Sequence, residues 1–97
     1  MLIKLEILEA IERGEITLQF RRWTRPSVKA GGTLKTKVGM LRIGSITEMS
    51  PGDVTAADAR KAGFTDIADF RSWLGTMKEG PLFHRIEIGY IGAAPTD

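Results

Sequence analysis

The sequence predicts an α+β fold, a small mixed β-barrel with an N-terminal helix and two short helices covering it. Two observations predict it. Apolar residues recur first at helical spacing, then in alternation after Gly14, then at helical spacing twice more, and finally in alternation up to Ile91. Gly39 and Gly44 fall inside an otherwise strand-like stretch, where glycine marks a bulge or the sharp bend of a small barrel. A chain of 97 residues that is 42% hydrophobic and 27% charged suits one domain, residues 1–97, with a single modest core.

Each element has its own local reason. In Lys4 to Arg13 (KLEILEAIER), Leu5, Leu8 and Ile11 form an apolar stripe, Ile7 widens it, and glutamates fill the remainder. Arg13 suits the negative end of the helix dipole, and Gly14 supplies the left-handed residue that ends the helix. From Ile16 the period is two: Ile16, Leu18 and Phe20 share one face, while Thr17, Gln19, Arg21 and Trp23 share the other. Arg22 continues the apolar face, so the strand leaves the core there, and Pro26 ends central pairing by lacking a backbone donor. Thr33 to Met49 reads as two short strands or one bent strand. After the Pro51-Gly52 turn, Thr55 is the N-cap of a helix that Gly63 closes, with Asp58 at the third position. A second short helix, Asp66 to Met77, places Ile67, Phe70, Trp73 and Leu74 on one face as core. Leu82 to Ile91 is the closing strand, and its "IEIGYI" run either exposes an edge that supports a dimer or completes the barrel.

The formal net charge of +2 conceals a separation of charge. Residues 1–15 carry two positive charges against Glu6, Glu9, Glu12 and Glu15, and residues 48–97 carry five positive against eight negative. Between Ile16 and Thr47 there is no acidic residue, but Arg21, Arg22, Arg25, Lys29, Lys35, Lys37 and Arg42 contribute seven positive charges. A wall built from that segment attracts polyanions, and a solvated basic face is the plainer reading of the same residues. Guanidinium and ammonium groups beside a flat aromatic surface suit phosphates and stacked bases. The expected RNA-binding residues are therefore Arg21, Arg22, Trp23, Thr24, Arg25, Lys29, Lys35 and Lys37. Trp23 either stacks on a base or packs under a loop. The backbone N–H groups of Gly31 and Gly32 either approach a phosphate or serve a turn.

Other chemistries find less in the sequence. With no cysteine and one histidine, disulfide, thiolate and histidine-cluster metal chemistry is not expected, nor is any cofactor. Asp53, Asp58, Asp66 and Asp69 sit at helix starts, where capping and the helix dipole account for them. Thr24 has no local base to activate its hydroxyl. His84 lies on the more apolar face of the last strand, where a buried, hydrogen-bonded ring is expected rather than a general acid or base. No apolar run approaches the ~20 residues of a membrane span. The charged N-terminus also lacks the uncharged core of a secretory signal, so a cytoplasmic location is expected.

In order and spacing, "ILEAIERGEITLQFRR", "AGGTLKT", "ITEMSPGDVTAADARKAGF" and "FHRIEIGYI" together resemble an ASCH domain of the PUA-like superfamily over nearly the whole chain. The resemblance implies a PUA-like pseudobarrel whose cleft binds RNA and, in one branch, an amidohydrolase acting on acetylated cytidine. That branch uses a lysine, a threonine and a glutamate where this chain has Ile16, Gln19 and Ala62, none of which can take those roles. Arg21 matches the family's strand arginine. The expectation is thus an RNA-binding module without catalytic residues, a monomer or weak homodimer. One alternative is a hydrolase acting on RNA or a modified nucleoside through Arg21, Arg22, Thr24 and His84. Another is a module for an acidic protein partner.

Overall fold

The computed structural model describes residues 3–77 and 80–93. The ends of the expected 1–97 domain, together with Lys78 and Glu79, lie outside the described residues. The chain is α+β, with three helices on a curled, four-stranded antiparallel half-barrel. The strands are β1 (Leu18–Trp23), β2 (Thr33–Thr36), β3 (Gly39–Glu48) and β4 (Leu82–Gly92), in the spatial order β1-β4-β3-β2. The helices are α1 (Leu5–Glu12), α2 (Ala56–Lys61) and α3 (Ile67–Thr76).

Local chemistry sets the boundaries. Gly14, at φ 79°, turns the chain out of α1 in a conformation that other residues reach only with strain. Thr55 caps α2 by accepting the Asp58 N–H at 3.1 Å, and Asp66 caps α3 by accepting the Asp69 N–H at 2.8 Å. The stretch from Thr33 resolves into two strands, β2 and β3, joined by a turn at Lys37 and Val38. The β3–β4 register shifts between Ile43 and Ile46, across Gly44. A Cβ at Gly44 would lie 3.0 Å from the Glu87 Cβ, so the glycine admits the close approach that the bulge requires.

Strand order bears on both readings of "IEIGYI". β4 pairs with β3 as far as Gly92, whereas β1 covers it to Glu87, with Ile88 N donating to Thr17 O at 3.0 Å. The edge strands are β1 and β2.

Two cores divide the interior. Leu8 and Ile11 of α1 pack with Ile16, Leu41, Ile43, Ile86 and Ile88. Leu18, Phe20 and Phe83 pack instead with Val54, Ala59, Ala62 and Phe70 from the α2–α3 layer. Strand alternation separates the sets, because Phe83 joins the aromatic core while Ile86 and Ile88 join the aliphatic one. Phe70 is the hub of the aromatic set. Its ring lies 5.3 Å from Phe20, 5.5 Å from Phe64, 5.9 Å from Trp73 and 6.2 Å from Phe83, distances at which aromatic pairs attract.

Candidate nucleic-acid interface

A cleft of about 350 Å3 opens beside β1, where α1 and the α2–α3 layer come together. β1 supplies Gln19, Phe20 and Arg21, the segment before and within α1 supplies Lys4 and Ile7, and the far wall is Phe64 and Trp73. The cleft forms there because β1 pairs only with β4, which leaves the two layers to meet around its outer edge. Gly63 permits that meeting. Its φ is 97°, and a Cβ there would lie 2.7 Å from Ile16 Cδ1 and 3.9 Å from Ile7 Cδ1, so only glycine lets the end of α2 approach so closely.

Two side chains in the cleft have fixed geometry. Gln19 is 6% exposed, and its Nε2 donates to Leu18 O at 2.8 Å and, at the limit of a hydrogen bond, to Ala62 O at 3.5 Å. Its amide therefore ties β1 to the end of α2. Arg21 donates from one terminal nitrogen to Phe20 O at 2.7 Å, and burial pushes its guanidinium below the ordinary arginine value. An arginine stays charged even so, and a cation with reduced hydration attracts an anion more strongly than one in open water. Lys4 adds a second cation to the lining.

No protein family, curated protein or solved structure matches the chain.

The residues expected to bind RNA fall on different elements. Arg21 lines the cleft. Arg22 is half-buried at the end of β1, on the face that carries Leu18 and Phe20. Thr24, Arg25 and Lys29 are exposed beyond β1. Lys35 is exposed on β2, the opposite edge strand, and Lys37 is exposed in the turn that follows it.

Trp23 packs against the aliphatic core, and its indole N–H donates to His84 Nδ1 at 2.7 Å. Indole nitrogen is a donor only, so Nδ1 must accept and the His84 proton sits on Nε2. His84 is 8% exposed, which agrees with the expected buried, hydrogen-bonded histidine. Gly31 and Gly32 serve the loop, because Gly31 N donates to Ile43 O at 2.9 Å and Gly32 N to Lys29 O at 3.0 Å. Neither N–H is held for a phosphate.

The structure adds residues that periodicity could not assign to a site. Trp73 and Phe64 face the cleft while also belonging to the aromatic cluster, and Lys4 joins them from the other end of the sequence. Asp58 acts beyond the start of α2, accepting from Arg85 Nε at 2.9 Å. That hydrogen bond, with a smaller one from Glu87, raises the Arg85 guanidinium above its usual value against the effect of burial. The positions Ile16, Gln19 and Ala62 converge, since Gln19 and Ala62 line the cleft and Ile16 lies under Gly63. Aromatic walls, a shielded guanidinium, a second cation and one fixed amide suit a flat ring bearing an anionic group.

Proposed function

We propose that this chain is an RNA-binding module of the ASCH type that acts without turnover, its cleft taking one nucleotide of a single-stranded segment. The observation that carries the reading is the position of Arg21, a guanidinium shielded from water at the wall of a cleft whose other side is Phe64 and Trp73. A base inserts against the aromatic wall, where stacking contributes about 1–3 kcal/mol per base, while Arg21 and Lys4 attract the phosphate. Support for the ASCH reading comes from the placement of Gln19 and Ala62 in this cleft, with Ile16 against Gly63 of its lining. Support for binding without turnover comes from the sequence, because Ile16, Gln19 and Ala62 stand where the amidohydrolase branch uses a lysine, a threonine and a glutamate.

The test is affinity for single-stranded RNA measured against salt concentration. The unaltered protein loses affinity steeply as salt rises. Arg21→Ala lowers affinity at least about tenfold and flattens the log–log slope by about 0.7, the effect of one phosphate contact on a single strand. Arg21→Lys, which keeps the charge and loses the planar fork, falls between them. Circular dichroism of each variant separates lost binding from lost folding. Unchanged affinity in folded Arg21→Ala removes this cleft from RNA binding.

A further inference from the structure

A second cleft, of about 340 Å3, lies behind the first. Its lining includes Arg42, Lys61 and Arg85, with Glu87 as its carboxylate. These cations differ in their partners. Arg85 is held by Asp58 at 2.9 Å and by Glu87 at 3.2 Å. Among the described residues, Arg42 and Lys61 have no ion pair. Arg42 reaches over the backbone of β4, where a Cβ at Gly89 would lie 3.4 Å from its Nη2. Lys61 is held from its backbone, since its carbonyl accepts Thr17 N at 2.9 Å and Thr17 O accepts Ile88 N at 3.0 Å.

The two clefts share a wall. Gln19 and Ala62 line the first, and their chain neighbours Leu18 and Lys61 line the second. Consecutive Cα atoms are ~3.8 Å apart, so the partition is about one backbone thick at both places. A polymer leaving the first cleft over the turn at Lys61, Ala62 and Gly63 reaches the second within a short span.

We propose that the second cleft is a phosphodiester site for the same RNA strand, with Arg42 and Lys61 as its cations. The strand turns over the end of α2, placing a base in the first cleft and a neighbouring phosphate between Arg42 and Lys61. The inference rests on the RNA reading of the first cleft. It adds that the binding track continues around α2 to Arg42 on β3. Glu87 opposes the phosphate, and that opposition gives the proposal a test of sign.

The probes are a mixed-sequence single-stranded RNA of about 12 nucleotides, within the range of single-strand site sizes, and ribonucleoside monophosphates, which fill the first cleft alone. The Arg42→Ala/Lys61→Ala variant alters only exposed side chains. It is expected to bind the oligonucleotide about tenfold more weakly, with a salt slope flatter by about 0.7, and to bind the monophosphates as the unaltered protein does. Glu87→Gln is expected to tighten the oligonucleotide about threefold and leave the monophosphates unchanged. If the double variant binds the oligonucleotide as the unaltered protein does, while Arg21→Ala weakens it, the second site is overturned and the first stands. An equal loss on both probes overturns the second site as well, because it marks diffuse attraction. If the unaltered protein binds neither probe, both readings fall together.

Discussion

Two ends of the sheet are equally basic in sequence and differ in what the fold does with their charge. At the β1 edge, Arg21 lines a cleft together with Phe20, Phe64 and Trp73. At the β2 edge, Lys35 and Lys37 stand in solvent, with no ion pair among the described residues. Charge in water is screened within ~8–10 Å at ordinary salt, whereas charge beside an apolar wall is screened much less. The difference teaches that position along the chain finds a basic segment, and packing decides which of its members can hold a ligand. The β1 end has a cleft because the α2–α3 layer brings aromatic rings to it.

The largest expected effect comes from removing that support. Phe70→Ala takes the central ring from the aromatic cluster and should destabilise the fold by about 3–5 kcal/mol in chemical denaturation. It should also weaken RNA binding at the β1 end by loosening Trp73 and Phe64. A loss under about 1 kcal/mol would mean that the aromatic layer does not hold the cleft together. Trp23→Phe is milder. It keeps an aromatic ring against the aliphatic core and removes the donor to His84, leaving the buried Nδ1 without its partner, at about 1–2 kcal/mol. Because Trp23 packs away from the cleft, RNA affinity should stay within about twofold, and a much larger loss would restore Trp23 as a stacking surface. The smallest effect belongs to the opposite edge. Lys35→Ala/Lys37→Ala should change stability by less than about 0.5 kcal/mol and RNA affinity by less than about threefold, both checked in the same assays.

Much of the fold was legible because its signals are local. Leu8 and Ile11 of the expected stripe, the glycine turn after α1 and the Thr55 cap each depend on residues within one or two turns and lie where the spacing places them, whereas Leu5, expected in the same stripe, is 50% exposed in the first turn of α1. Alternation correctly put Trp23 on the face opposite Leu18 and Phe20, and helical spacing correctly put Phe70 in a core. The pairing of β4 on both sides was not legible, since an apolar strand reads alike at an edge and in the middle of an antiparallel sheet. The site was legible only through Arg21. Lys4, Gln19, Phe64 and Trp73 come from separate segments and meet through tertiary packing, while Arg25, Lys29, Lys35 and Lys37, which looked like partners in sequence, are placed on loops and the far edge. The Asp58–Arg85 pair was hidden for the same reason, its members lying 27 positions apart.

The most direct measurement is a residue-resolved map of backbone amide shifts as single-stranded RNA is added to isotope-labelled protein. The prediction is that the largest shifts fall on Gln19, Arg21, Gly63, Phe64 and Trp73, with Lys35 and Lys37 nearly unmoved. Shifts concentrated on β2 and its turn, with the β1 cleft silent, would contradict it and make the exposed lysines the site.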